Sequence, residues 1–181
     1  GDQVGVDTSN PTEFRNFEEF KQAYFKQVKQ IIKLAVDTYT ISDNLRAIYE
    51  PVPYLSSLIE GCMDKGKDVT AGGAVYNFIT GEGVGFATAA DSLTAVKKLV
   101  YEERKISMEE LLEAIRSNFQ NREKLRQILI NQAPKYGNDD DYADEVAREI
   151  SRFWAQEVAK YVSPITGRRF RAGYLSWNYF I

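Results

Sequence analysis

Thr70–Glu103, TAGGAVYNFITGEGVGFATAADSLTAVKKLVYEE, is the stretch on which the fold turns. It opens with paired glycines, Gly72 and Gly73, and continues through the β-favouring run AVYNFIT at residues 74–80. Gly81-Glu82-Gly83-Val84-Gly85 predicts a turn, after which Leu93, Val96, Leu99 and Val100 recur at helical spacing. Strand, glycine loop and helix make up the unit of an α/β protein. The sequence around this unit predicts mostly helix, so the fold class is α/β and helix-rich.

At 181 residues the chain is long enough for one domain with a real core. A net charge of −3 with no basic block argues against nucleic acid as a partner. No apolar run approaches the roughly 18 residues that a bilayer helix requires, and no signal-peptide pattern is present. The single cysteine, Cys62, excludes an internal disulfide and fits a reducing cytoplasm. Histidine is absent, which removes the commonest general base and metal ligand.

The chain begins at Gly1 and ends within YLSWNYFI, a strand-like aromatic run. An open strand end leaves backbone groups unpaired, so residues 1–181 are expected to be part of a longer polypeptide. The alternative is a mature domain whose final strand is tucked into its own sheet.

Asn16 and Glu19 form a capping box at the start of a long helix, with Phe17, Phe20, Tyr24, Val28, Ile31, Ala35 and Tyr39 on one face and Ile32 and Val36 beside them. This helix must end before Pro51. Tyr54–Lys65 predicts a short helix closed by Gly66. Ser107 and Glu110 form a second capping box, ahead of Met108, Leu111, Leu112, Ile115 and Phe119. Leu125, Ile128 and Leu129 mark a further helix before Pro134. One of residues 138–140 caps the helix whose inward face carries Tyr142, Val146, Ile150, Phe153, Trp154 and Val158. A turn at Ser163–Gly167 and the basic Arg168, Arg169 and Arg171 lead into the last strand.

Strand, GEGVG and helix have the outline of a dinucleotide-binding turn, but Phe86 or Thr88 stands at the third glycine position and Glu82 would repel a pyrophosphate. The glycines are better read as allowing a sharp turn and close backbone approach. Asp139, Asp140, Asp141 and Asp144 suit the positive end of a helix and are not read as a metal site. The three arginines could grip a carboxylate, but a solvated turn accounts for them. Cys62 is read as a small buried apolar residue. Acidic Glu60 and Asp64 flank it, the wrong charge for stabilising a thiolate.

Three longer stretches carry a resemblance. GCMDKGKDVTAGGAVYNF, GVGFATAADSLTAVKKLVYEE and APKYGNDDDYADEVARE, in that order, are similar to the glycyl radical enzymes related to pyruvate formate-lyase. The branch with diol and hydroxyproline dehydratases, choline lyase and arylacetate decarboxylases is closer still, and the likeness runs from about Phe17 to the end. The resemblance implies a β/α barrel of which residues 1–181 are a part. In the parent chain, a glycyl radical installed by a radical SAM activating enzyme generates a thiyl radical on a cysteine loop. That thiyl takes hydrogen from a small-molecule substrate, and a C–O, C–N or C–C bond then breaks, with dehydration favoured. The resemblance also implies anaerobic metabolism, a homodimer and a cytoplasmic setting. The Arg-Val-x-Gly-Tyr type radical loop and the Gly-Cys-Val-Glu type cysteine loop are both absent. Gly61-Cys62-Met63-Asp64 matches the cysteine loop only superficially, so Cys62 is given no thiyl role. No residue here is assigned catalysis, and the chain alone is expected to be inactive.

Barrel strands alternate between lumen and helices. Leu175, Trp177, Tyr179 and Ile181 form the more apolar set, suited to the outer helices, which leaves Tyr174, Ser176, Asn178 and Phe180 as the expected substrate-lining set. In the earlier strand Tyr76 and Phe78 share one face and Asn77 takes the other, with no basis for choosing between them. Two other readings stand beside the dehydratase: an arylacetate decarboxylase, weakly suggested by the rings of LSWNYF, and a self-contained helical interaction module without catalysis.

Overall fold

The computed structural model describes residues 4–175. In order these form α1 (Phe17–Tyr49), α2 (Pro53–Leu58), α3 (Cys62–Lys65), β1 (Phe78–Gly83), α4 (Phe86–Ala95), α5 (Met108–Arg116), α6 (Glu123–Asn131), α7 (Asp141–Val158) and β2 (Arg169–Tyr174). The expected helix-rich α/β composition is observed. The chain divides into two units, one of Gly1–Val28 with Gly85–Phe153 and one of Lys29–Val84 with Trp154–Ile181, so that α1 and α7 each contribute to both.

The first unit is helical. Asn16 caps α1 as expected: its Oδ1 accepts from the Glu19 amide at 2.9 Å, while Glu19 Oε2 accepts from the Arg15 amide at 2.9 Å. Phe17, Phe20, Tyr24 and Phe25 pack against a core of Ala90, Leu93, Val146, Ala147 and Ile150. Phe25 also stacks on Phe153, with ring centroids 4.2 Å apart. A second core gathers Leu99, Ile106, Met108, Leu111, Ala114 and Leu125. Ser107 caps α5 by accepting from the Glu110 amide at 3.1 Å, and Asp140 caps α7 by accepting from the Tyr142 amide at 2.9 Å. Within α5 the buried side is Met108, Leu111 and Ala114, and Ile115 is exposed.

One feature of this unit has no sequence signal. Beyond Ala95 the helix widens into a π-helical stretch, Val96–Glu102, whose exit is marked by Glu103 N–H donating to the Lys98 carbonyl at 2.8 Å. Tyr142 donates to Glu102 Oε2 at 2.7 Å, and burial together with this acceptor raises its phenol well above the usual range.

The second unit carries the sheet. β1 and β2 pair in parallel, with Phe78 opposite Arg169 and Gly83 opposite Tyr174. The strand therefore starts later than AVYNFIT suggests and absorbs Gly81 and Gly83, leaving only Val84 and Gly85 to turn into α4. Space explains the glycine at Gly83, where a methyl would press the Tyr174 ring at 3.0 Å, whereas one on Gly81 would meet Trp154 Cζ2 and Val158 Cγ1 at an ordinary 3.7 Å. The helix expected over Tyr54–Lys65 is split into α2 and α3 by Gly61, which adopts a left-handed φ of 89°; Gly66 closes α3 as anticipated.

The α1 stripe also shifts in this unit. Ile32, Val36 and Asp43 are buried, whereas Ile31 and Tyr39 are about half exposed at 53% and 52%. Among the described residues no helix is long and apolar enough to cross a membrane.

Candidate functional site

The parallel strand pair is anchored at its amino-terminal end by a buried ion pair. Arg168 Nη1 donates to Asp43 Oδ1 at 2.8 Å, with side chains only 16% and 6% exposed. Asp43 Oδ2 accepts from Ser163 Oγ at 3.2 Å and from the Thr166 hydroxyl, and Arg168 Nη2 donates to the Val69 carbonyl. These bonds join α1, the Ser163–Gly167 turn and the loop before β1 at the root of β2. The arginine run is thus not simply a solvated turn, because Arg168 finds its partner 125 positions away.

Gly72 and Gly73 complete the anchor. Gly72 has φ of 89°, and a methyl on it would lie 2.5 Å from the Thr166 carbonyl oxygen. One on Gly73 would lie 2.1 Å from the Lys67 carbonyl oxygen and 2.9 Å from Cys62 Sγ. Only a chain without side chains passes through this gap. Asn77 Nδ2 bridges to Thr166 O at 3.4 Å. Asp68 staples the adjoining turn by accepting from Thr70 Oγ1 at 2.7 Å, Ser56 Oγ at 2.7 Å and the Val52 amide at 3.0 Å. The Thr70 hydroxyl first, with these other donors, pulls its carboxyl down to about 2.

Alternation then gives the sheet two faces. Ile79, Gly81 and Gly83, with their register partners Phe170, Ala172 and Tyr174, lie on the side of α7, where Phe170 is buried and Trp154 Nε1 donates to the Gly173 carbonyl at 3.3 Å. Phe78, Thr80, Glu82, Arg169, Arg171 and Gly173 form the opposite side, and every side chain there is exposed. Arg171 stacks over the Phe78 ring at 4.4 Å. Glu82 lies across the backbone of β2, since a methyl on Gly173 would come within 2.9 Å of its Oε1. Among the described residues no ion pair reaches Glu82, Arg169 or Arg171. A parallel pair covered by a helix on one side and bare on the other is half of a layered α/β arrangement.

Of the four residues expected to line a pocket, Ser176, Asn178 and Phe180 lie outside the described residues. Tyr174 sits at the carboxyl end of β2 with its ring against Gly83, on the same side of the sheet as Phe170. The choice left open for β1 resolves with Phe78 on the bare side. Glu82 and Arg171, which that side also carries, were passed over because GEGVG and the arginine run were both read as turns. Cys62 is buried behind the Gly73 backbone. Among the described residues no group of acidic, histidine or cysteine side chains could hold a metal ion, and Asp140 of the acidic run serves as the α7 cap.

Comparison with known proteins agrees with this architecture. The chain is 40% identical over 156 residues to the trans-4-hydroxy-L-proline dehydratase of Clostridioides difficile, covering 86% of this chain and 20% of the relative. The crystal structure of hydroxyproline dehydratase from that organism superposes with a TM-score of 0.91 at 37% identity, over 94% of this chain and 22% of that one. The B12-independent glycerol dehydratase of Clostridium butyricum gives 0.89 at 41% identity, over 95% and 22%. The chain therefore spans about a fifth of the length of these relatives. The pyruvate formate lyase-like family description matches residues 1–180, and the chain belongs to that family.

Proposed function

We propose that residues 1–181 form part of the barrel of a glycyl radical lyase, and that the bare face of the β1–β2 pair is a wall of its reaction chamber. The observation that carries this reading is the two-sided sheet, with one face packed on α7 and the other a polar, exposed surface along the length of the parallel pair. In a barrel, strand positions alternate between the lumen and the surrounding helices, so the face turned away from α7 is the one left for the lumen. The reaction favoured is dehydration of a small hydroxylated molecule, in keeping with the relatives, whose names specify hydroxyproline and glycerol dehydratases.

In such an enzyme the radical chemistry would be supplied by a glycyl radical that a radical SAM activating enzyme installs elsewhere in the polypeptide. The residues here do not fit that group: the glycyl loop is absent, and Cys62 is buried behind backbone. Their contribution is geometric. The Asp43–Arg168 anchor and the glycine gap hold the strands in register, α7 closes one face, and the other positions and shelters substrate from water. Tyr174 and the residues after it, Ser176, Asn178 and Phe180, are proposed to border the chamber at the strand's carboxyl end. The proposal extends to a homodimer working in an anaerobic cytoplasm.

The test is anaerobic activation of the full-length polypeptide that carries this chain. The expected result is an organic radical signal in electron paramagnetic resonance together with loss of water from a hydroxylated substrate. A folded full-length protein that, after treatment with a competent radical SAM activating enzyme, shows no radical and no turnover of any such substrate would refute the proposal.

A further inference from the structure

The second half of α1 carries two faces suited to contact, and the second unit uses one of them. Ile32, Val36 and Asp43 turn inward and are buried. Ile31, Leu34, Thr38, Ile41, Leu45 and Ile48 are exposed, and they follow one another at steps of three and four residues. At about 100° of turn per residue these six positions form a seam along the opposite side of the helix. From Ile31 to Ile48 the seam runs for about 25 Å, nearly five turns. A shallow groove of about 600 Å³ follows it past Thr38, Ile41, Leu45 and Tyr49. A repeat of three and four is the spacing at which one helix receives the side chains of another between its own.

We infer that this seam is the docking site of a second helix, contributed by the same polypeptide from outside residues 1–181 and carrying an apolar residue at every third or fourth position. The inference rests on the reading of residues 1–181 as part of a longer enzyme, and it is independent of which side of the sheet meets substrate. The chain spans about a fifth of the length of its relatives, so most of such a polypeptide lies outside it. Charge favours this occupant over a second copy of the chain. Helices that pair between separate chains set their choice of partner with charged residues flanking the seam. Here the flanks are Gln30 and Asn44 on one side and Ala35 and Ser42 on the other. Asp37, the charge among the flanking positions, is already tied to Lys33 at 2.6 Å in its own helix. A seam without charged edges has the character of an interior contact that stays covered. Apolar exposure also continues past the helix through Tyr54, Leu55 and Leu58, a broader surface than one self-paired helix covers. Ala35, Thr38 and Ser42 are small, so the docked helix comes closest near the middle of the seam.

The experiment uses the full-length polypeptide without activation. Thr38→Cys and Leu45→Cys each put a thiol on the seam, and alkylation of that peptide is followed by mass spectrometry in the folded protein and in urea. Both sites should react about tenfold or more slowly in the folded protein, at every protein concentration tried. Thr38→Cys changes size little and keeps the test open if Leu45→Cys fails to fold. A photoreactive p-benzoylphenylalanine in place of Tyr49, an aromatic already at the seam's edge, should cross-link to a segment outside residues 1–181 whose apolar residues recur every third or fourth position. Isotope-labelled and unlabelled copies are mixed and allowed to exchange beforehand, which tells a cross-link within one polypeptide from one between two. Folded-state alkylation within about twofold of the urea rate would overturn the inference. Protection lost on dilution, mixed-isotope cross-links, cross-links confined to residues 1–181, or a cross-linked segment without that repeat would also overturn it. None of these readouts needs the radical, so a covered seam in a protein that never forms one would leave the docked helix standing while the enzyme class fails.

Discussion

Asp43 in the middle of α1 and Arg168 just before β2 form a 2.8 Å ion pair that is almost wholly withdrawn from solvent. Two such charges persist in a folded interior because each compensates the other and the surrounding hydroxyls take up the remaining lone pairs. Removing one partner strands the other, so Asp43→Ala or Arg168→Ala should destabilise the chain by about 3–5 kcal/mol. The exposed Lys33–Asp37 pair is the control, and Lys33→Ala should change stability by no more than about 1 kcal/mol. Chemical denaturation of the four proteins, wild type included, measures both. Equal effects at the two sites would contradict the anchor.

The glycine gap makes a graded prediction. Gly66 has φ of 57° with open space around it, so Gly66→Ala should cost only the left-handed strain of about 1–2 kcal/mol. Gly72 has both a left-handed φ and the Thr166 carbonyl 2.5 Å from any added methyl, so Gly72→Ala should cost clearly more. Denaturation midpoints in the order wild type, Gly66→Ala, Gly72→Ala are expected; the reverse order for the two variants would show that Thr166 yields freely.

Acid sensitivity should trace in part to Asp68. Its folded carboxyl lies at about 2, below its usual value of 3.8. A depressed carboxyl stabilises the fold above the unfolded value, and that contribution is lost as pH falls through the folded one. Between about pH 4 and 2, wild type should therefore lose more stability than Asp68→Asn, although the variant starts lower because its amide cannot accept from Thr70, Ser56 and Val52 together. Melting temperatures across that range test it, and parallel acid limbs would rule it out.

The second half of α1 and the following segment expose Ile41 at 63%, Tyr49 at 75% and Tyr54 at 81%, with Ile48 and Leu58 also turned outward. Apolar surface on this scale marks an interface. The 181-residue chain by itself should bind a hydrophobic dye and self-associate. A dispersed monomer with a sharp thermal transition and no dye binding would contradict the expectation that this surface is covered in the working protein.

What could be read without coordinates was what local chemistry determines. Asn16, Ser107 and the acidic run before α7 mark helix starts because a capping side chain acts within three residues. Of these, only the acidic run lies within a stretch that carried the family resemblance, APKYGNDDDYADEVARE. What could not be read depends on distant partners. Nothing local says that Arg168 turns inward to Asp43, that Gly81 and Gly83 belong to a strand against Trp154, or that the buried side of α1 moves toward Ile32 and Val36. Alternation likewise fixes which residues of a strand share a side but not which side meets a helix, and the burial of Phe170 against α7 is what identifies that side here.

The account depends most on which side of the sheet meets substrate. A structure of the full-length polypeptide with a bound substrate analogue measures this directly. The account predicts the analogue against Thr80, Glu82 and Arg171, with Phe170 and Gly81 remaining behind it under α7. An analogue bound elsewhere, with Glu82 and Arg171 open to bulk solvent on the outer surface of the molecule, would contradict it.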